Sequence, residues 1–187
     1  SSIGFGFSRG GQIIIARRYG EGDGDDLRKS FYALLYFELI LATLIFAFIH
    51  FGGDAFFRSI VEDDATYIKC VEYLIPRSFG IYFSYLGVIF IALYSGIGKT
   101  QFILIDALVL AIINILLNYL FIFGRGPIPE MGIAGAGWAS AIAEALAFFV
   151  FLLYMLLEKN PRVLHIFKLP PFDLKLIKRV FITSVPI

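Results

Sequence analysis

The sequence predicts an all-α membrane protein, a polytopic bundle of helices that cross a lipid bilayer. Hydrophobic residues make up 59% of the chain, whereas about 45–50% is usual for a soluble domain. Four apolar segments reach the length of about 20 residues that a hydrocarbon core of roughly 30 Å requires. They are residues 30–53, 78–98, 102–124 and 131–157. The segment at 78–98 contains no charged residue.

The placement of lysine and arginine predicts which way each helix runs. Basic residues are concentrated in three stretches, at 16–29, 98–101 and 158–179. The loops between them carry fewer: Arg58 and Lys69 in one and Arg125 in the other. Under the positive-inside rule the three basic stretches are cytoplasmic. Helices 30–53 and 102–124 are therefore expected to run outward, and helices 71–98 and 131–157 inward.

Composition excludes several classes of function. The net charge is +1, so no bulk attraction to nucleic acid is expected. Cys70 is the single cysteine, which excludes an internal disulfide and a cysteine metal cluster. His50 and His165 are far apart in the sequence, and no motif predicts a catalytic centre, a metal or another cofactor. The first residues lack the basic and apolar regions of a signal peptide.

The remaining segments are interpreted as connections and partial helices. Residues 1–16 are too short and glycine-rich for a complete span and are interpreted as the end of one helix, and residues 180–187 as the start of another. The segment 20–26 is expected to be a flexible acidic turn. The segment 53–66 is expected to hold an interfacial amphipathic helix with Phe56, Phe57 and Ile60 in lipid.

Two further connections follow from proline and charge. Pro127 and Pro129 prevent a helix from continuing through residues 124–130, which predicts a tight outer turn. The basic, proline-containing stretch 158–179 is interpreted as a cytoplasmic linker.

Four charged residues are candidates for membrane depth: Glu38, Asp106 and Glu144 within the apolar segments, and Arg77 immediately before the segment at 78–98. Charge at membrane depth is costly, so such residues are expected to be paired, to face the protein interior or to function directly. Asp106 and Arg77 lie near helix ends, where their side chains can snorkel, and Arg77 can instead hold a neighbouring carboxylate. For Glu144 a structural ion pair or hydrogen bond and a direct role in function both remain open.

Asn114 and Asn118 are spaced i, i+4, so they lie on one face of a helix. Amides in this position often form hydrogen bonds between membrane helices, but their carbonyl oxygens also suit a small cation. Small residues repeat every fourth position in two stripes of the following helix, Gly132–Ala136–Ser140 and Gly135–Ala139–Ala143. Such stripes let helices approach closely and are expected to bring Ser140 near a neighbour's polar face.

Three stretches together resemble the multidrug and toxic compound extrusion (MATE) family of cation-coupled antiporters. The most specific is IINILLNYLFIFGRGPIPEMGIAGAGWASAIAE, and the others are GFSRGGQIIIARRYGEGD and YLIPRSFG with the later YSGIGKTQ. The resemblance implies twelve helices in two lobes. This chain would then hold most of the amino-terminal lobe: residues 1–157 as part of helix 2 and helices 3 to 6, 158–179 as the inter-lobe linker, and 180–187 as the start of helix 7.

The resemblance also implies a site and an activity. Asn114, Asn118 and Ser140 match the family's positions for a cation or proton site in this lobe, with an Asp from helix 1 beyond this chain. Separately from the family motif, Glu144 lies one turn from Ser140 and is expected to hydrogen-bond to that cluster. The implied protein is a monomeric multi-pass transporter of the bacterial inner membrane. It would need no cofactor, couple to Na⁺ or H⁺, and export organic, often cationic compounds.

Other functions remain as alternatives. A lipid-linked oligosaccharide flippase of the same superfamily would share the fold, but would require basic residues clustered within the spans. A membrane-embedded enzyme would need a nucleophile with a base, or a metal cluster, at membrane depth. A purely structural membrane protein would not need to keep Glu144 and paired amides in its spans.

Overall fold

The computed structural model of the chain describes residues 2–22, 24–157, 163 and 166, with side chains from residue 9 onward. It consists of six α-helices and one π-helical turn in this part of the chain. The α-helices are α1 (Ser2–Glu21), α2 (Gly24–Ala47), α3 (Gly53–Ile60), α4 (Asp64–Gly96), α5 (Gln101–Phe123) and α6 (Gly132–Leu157).

Four stretches are long and apolar enough to span a bilayer: 24–60, 64–96, 101–123 and 132–157. The prediction of an all-α polytopic membrane bundle is therefore confirmed. Helix α4 occupies the centre, since it packs against α1, α2 and α6, while α5 packs mainly on α6. Many large apolar side chains are exposed on α5, for example Ile115 at 68%, as expected of a surface that faces lipid or other apolar helices rather than water.

The segment before the first span differs from the prediction. Residues 20–26 were expected to be a flexible turn, but α1 continues to Glu21 and α2 already begins at Gly24. Asp25 and Asp26 occupy the first turn of α2, where their charges complement the positive end of the helix dipole. Ser30 donates a hydrogen bond from Oγ to the carbonyl of Asp26 at 2.8 Å. Local electrostatics thus favour a helix that starts six residues before the predicted boundary at 30.

The outer end of the first span also differs from the prediction. Helix α2 passes into a π-helical turn, Phe48–Gly52, and then into α3. The predicted amphipathic helix is thus present over residues 53–60 only. Phe56 and Ile60 are exposed at 46% and 62%, as expected for contact with lipid, whereas Phe57 is half-buried and lines a cavity with Tyr67.

Helix α4 is longer than the predicted span 71–98, because it starts at Asp64. Asp63 caps it: Thr66 donates from its backbone N to Asp63 Oδ2 at 2.8 Å and from Oγ1 at 2.6 Å. These hydrogen bonds lower the pKa of the Asp63 carboxyl. A capped first turn therefore stabilises the part of α4 that hydropathy alone did not assign to the span.

The turn between α5 and α6 agrees with the prediction. Helix α5 ends at Phe123, and α6 begins at Gly132. Gly124 adopts a left-handed conformation with φ 62°, and a Cβ there would overlap the backbone of Glu130. The tight turn therefore depends on glycine at its first position as well as on the two prolines.

The buried core lies where α1, α2, α4 and α6 meet. Its fully buried members include Ile15, Leu34, Leu93 and Tyr94, and Phe151 of α6 stacks on Phe90 and Tyr94 of α4. Two residues of the predicted linker, Val163 and Ile166, belong to the same apolar cluster and are 0% and 1% exposed. The rest of 158–179, and residues 180–187, lie outside the described residues, so the domain boundaries remain predictions.

Candidate functional site

Asn114, Asn118 and Ser140 form one connected cluster between α5 and α6. Asn118 donates from Nδ2 to Asn114 Oδ1 at 2.8 Å. Asn114 in turn donates from Nδ2 to Ser140 Oγ at 3.2 Å. All three side chains are half-buried. The structure thus brings together the three residues that the sequence singled out for a coupling site.

Each of the two amide nitrogens donates within the cluster. An amide oxygen carries two acceptor lone pairs and a hydroxyl oxygen does too, so neither Asn114 Oδ1 nor Ser140 Oγ is saturated by the single bond that it accepts here. Such neutral oxygens are hard ligands of the kind that a small cation prefers. The cluster carries no formal charge of its own. It can therefore orient a cation but needs a carboxylate elsewhere to balance it.

Close approach of the two helices places Ser140 next to Asn114. A Cβ added at Gly135 of α6 would lie 2.7 Å from the carbonyl oxygen of Phe121 in α5. No side chain larger than hydrogen fits there without a shift of the backbone. The stripe containing Gly135 therefore packs on α5, as small-residue spacing predicted.

Arg77 and Glu144 form a bidentate ion pair between α4 and α6. Arg77 Nη1 donates to Glu144 Oε2 at 2.7 Å, and Nη2 donates to Oε1 at 2.6 Å. Their side chains are 25% and 14% exposed. Of the alternatives left open by the sequence, the geometry favours the ion pair for Glu144 and the held carboxylate for Arg77. Both Glu144 oxygens bind Arg77, so the expected hydrogen bond to the amide cluster is replaced by one to α4.

Two glycines that the sequence analysis did not single out make this pairing sterically feasible. A Cβ at Gly80 would lie 2.7 Å from Ala141 Cα and 2.8 Å from Glu144 Oε2. A Cβ at Gly137 would lie 2.8 Å from Pro76 Cγ and would overlap the carbonyl oxygen of Tyr73. Gly137 belongs to neither predicted stripe, yet it lies directly against the backbone of α4. Single glycines in a helix that also contains small-residue stripes give no sequence signal that distinguishes the two faces.

The other two of the four charged residues that the sequence singled out are buried. Asp106 is 9% exposed, so it does not snorkel to the helix end as one interpretation of the sequence allowed. Glu38 is 0% exposed and lies within the α2 span. Three of their carboxylate oxygens have no hydrogen-bond partner among the described residues: both oxygens of Glu38 and Oδ1 of Asp106. The structure therefore brings neither carboxylate into the Asn114–Asn118–Ser140 cluster by a hydrogen bond.

At the junction of α1 and α2, acidic residues neutralise part of the basic stretch 16–29. Arg18 binds Glu21 at 3.0 Å and Asp26 at 3.1 Å. The hydrogen bond from Arg17, and to a smaller extent the one from Arg18, lowers the pKa of the Glu21 carboxyl. The basic residues that predict the topology are thus partly paired in the folded chain.

No metal centre is evident in the part of the chain that the structure describes. Its residues include no group of three or more His, Cys, Asp or Glu side chains that could hold a metal ion. The Nδ1 atom of His50 lies 3.1 Å from the carbonyl oxygen of Phe46, and the His50 ring stacks on the Phe46 ring. His165 lies outside the described residues.

Comparison with known proteins gives a consistent result. The MatE family model matches residues 1–120. A probable multidrug resistance protein NorM of Streptococcus pneumoniae serotype 4 is 27% identical over 93% of this chain and 38% of its own length. The probable multidrug resistance protein YoeA of Bacillus subtilis is 25% identical over 86% of this chain and 35% of its own length.

Two solved structures have the same fold as the chain. They are the inward-facing and outward-facing conformations of a multidrug resistance MATE family transporter of the MOP superfamily, with TM-scores of 0.83 and 0.79. Sequence identity is 19% and 21%, and each match covers 97% of this chain and 40% of the other. The chain therefore spans about two fifths of the length of the proteins that it matches.

Proposed function

The chain belongs to the MatE family, and we propose that it acts within a Na⁺- or H⁺-coupled antiporter that exports organic, often cationic compounds. The observation that carries the proposal is the hydrogen-bonded cluster of Asn114, Asn118 and Ser140, which lies inside two membrane spans. The names of the relatives, which refer to multidrug resistance, support the same activity.

The proposed role of the cluster is to supply neutral oxygen ligands to the coupling cation. A carboxylate of helix 1, which the family resemblance implies beyond this chain, would supply the negative charge. Asn118 stands where some family members have Asp, so this cluster carries one formal charge fewer than theirs. The choice between Na⁺ and H⁺ is therefore part of what the experiment below measures.

Alternating access is the proposed mechanism, with two lobes that rock about a central cavity. The helices described here match an inward-facing and an outward-facing structure with similar TM-scores, which supports movement of this lobe largely as one body. A coupling cation can drive such a change only if it binds the two conformations with different affinity. We propose that the amide cluster provides part of this difference.

The proposed setting is the bacterial inner membrane, in which the protein is a monomer with stretches 16–29, 98–101 and 158–179 on the cytoplasmic side. The chain is a multi-pass membrane protein of a transporter family and not an enzyme. Its proposed partners are membrane lipid, a small organic substrate and the coupling cation, without nucleic acid and without a cofactor.

The test uses the protein at its full natural length in proteoliposomes. Efflux of a fluorescent organic cation is followed under an imposed Na⁺ gradient and, separately, under a pH gradient. Wild type is compared with Asn118→Ala, and with Gln101→Ala as a control, since Gln101 is an exposed amide on the same helix. We expect efflux under one gradient, loss of most of it in Asn118→Ala, and wild-type efflux in Gln101→Ala.

Two outcomes would contradict the proposal. Absence of efflux under both gradients, from protein that is folded, would favour the flippase alternative and make a lipid-linked substrate the next test. Efflux that is equally gradient-driven in wild type and Asn118→Ala would retain the transporter but remove the amide cluster from coupling.

A further inference from the structure

A cavity of about 200 Å³ lies between α4, α5 and α6, apart from the amide cluster. Its charged lining residues are Arg77 from α4, Asp106 from α5 and Glu144 from α6, and its other lining residues include Ser84 and Leu110. A volume of this size holds several water molecules, since one takes about 30 Å³ in the liquid. The cavity therefore has charged groups in its lining and is large enough to be hydrated.

The charges that line this cavity do not balance. Arg77 and Glu144 neutralise each other through two hydrogen bonds. Asp106 is 9% exposed, and its Oδ1 is inaccessible and has no hydrogen-bond partner in the described part of the chain. Asp106 thus lines a cavity within a span, and one of its two carboxylate oxygens has no hydrogen-bond donor in the described part of the chain.

Such an arrangement calls for a positive charge. An ionised carboxylate that is removed from water and left unpaired is among the most costly groups that a membrane protein can hold. A bound metal cation would need several oxygen ligands, but the charge of Glu144 is already neutralised by Arg77. A proton needs only one lone pair, so it is the cation that this site fits.

We propose that Asp106 is a proton-binding site in this cavity, separate from the Asn114–Asn118–Ser140 cluster. The proton adds to a carboxylate oxygen from cavity water and returns to water when it leaves, and no other bond changes. Proton binding itself does not depend on the proposed transport activity; its use in coupling rests on that proposed function.

The position of Asp106 along α5 suits exchange with one side of the membrane. It lies five residues from the start of α5 at Gln101, or about 7–8 Å along the helix axis. Asn114 is eight residues further on, or about 12 Å, and Leu110 between them lines the same cavity. Asp106 therefore lies between the amide cluster and the helix end that the positive-inside rule assigns to the cytoplasm.

The test is infrared difference spectroscopy of the full-length protein in lipid, recorded over a pH series. A protonated carboxyl group has a C=O stretching band that an ionised one lacks. We expect wild type to show such a band that disappears as the pH rises, Asp106→Asn to lack it, and Asp106→Glu to restore a titrating band at a shifted frequency. Asn118→Ala and Glu38→Gln are controls that should retain the Asp106 band.

The results separate this inference from the proposed function. A titrating band that is lost in Asp106→Asn supports the inference even if no efflux occurs under either gradient. Identical spectra for wild type, Asp106→Asn and Asp106→Glu would overturn it. A band that NaCl removes at constant pH would overturn the preference of this site for a proton over a metal cation, because Na⁺ would then compete for the same carboxylate.

Coupling is tested by proton release. Addition of a fluorescent organic cation to detergent-solubilised protein in weak buffer is expected to release protons from wild type and Gln101→Ala. Asp106→Asn should release fewer, by up to one per molecule. Equal release from wild type and Asp106→Asn would exclude Asp106 from coupling.

Discussion

Glu144→Gln is expected to lower the free energy of unfolding by about 3 kcal/mol, because it leaves the Arg77 charge without its partner. Removal of one member of a buried ion pair typically costs about 3–5 kcal/mol. The lower end applies here, since the two side chains keep 25% and 14% exposure and water can reach the uncompensated charge. Both hydrogen bonds of the pair, at 2.6 and 2.7 Å, involve the charge that the substitution removes.

The assay is reversible unfolding in mixed micelles, with the denaturing detergent as the variable. Glu72→Gln is the matched control, because Glu72 is an exposed carboxylate on α4, and surface substitutions usually change stability by less than about 0.5 kcal/mol. Arg77→Met combined with Glu144→Met removes both charges, so this double variant is expected to recover most of the stability lost in the single variants.

Two results would refute this reasoning. A loss below about 1 kcal/mol in Glu144→Gln would place the pair among surface salt bridges, which contribute little. Additive losses in the double variant would mean that Arg77 and Glu144 stabilise the bundle through separate contacts rather than through each other.

Three further predictions concern packing, the outer turn and a helix cap. Gly137→Ala should lower the free energy of unfolding by about 2 kcal/mol, because its Cβ would press on the α4 backbone. Its control, Gly87→Ala, has open space around the added Cβ and should be neutral or stabilise the protein by up to about 1 kcal/mol. Unfolding in mixed micelles measures both. Gly124→Ala should cost at least about 1 kcal/mol because φ is 62°, and limited proteolysis of the turn should accelerate. Hydrogen bonds from Thr66 lower the pKa of Asp63. The stabilisation by this cap is therefore complete above the ordinary Asp pKa and is lost as the pH falls through the lowered pKa. Thermal unfolding measured over a pH series should show this dependence in wild type but not in Asp63→Asn.

The spans were predictable because hydropathy depends on composition over about 20 residues, and each spanning helix was found. Their ends were less predictable, since they depend on local contacts. Asp25 and Asp26 extend α2 toward its N-terminus, and the Asp63 cap extends α4. The π-helical turn at Phe48–Gly52 has no sequence signal in a run that is apolar and aromatic throughout.

The site could be predicted in part. The i, i+4 spacing of Asn114 and Asn118 places them on one face of α5, and the structure shows a hydrogen bond between them. Ser140 is 26 residues from Asn114, so spacing alone could not pair them, and the family resemblance supplied that match. The contact between Arg77 and Glu144 spans 67 residues and depends on the close approach at Gly137. Periodicity within one helix contains no information about such a distant contact.

The ion pair and the proposed coupling cluster join α6 to different helices. Ser140 contacts Asn114 of α5, whereas Glu144, one turn later, is bound by Arg77 of α4. Since α5 packs mainly on α6 and little on α4, loss of the ion pair should weaken the α4–α6 contact without displacing the amides. Glu144→Gln should therefore destabilise the protein while ion-coupled efflux keeps its wild-type pH dependence. If the pH dependence of efflux changes in Glu144→Gln, the ion pair and the coupling cluster act as one unit, although their partners lie on different helices.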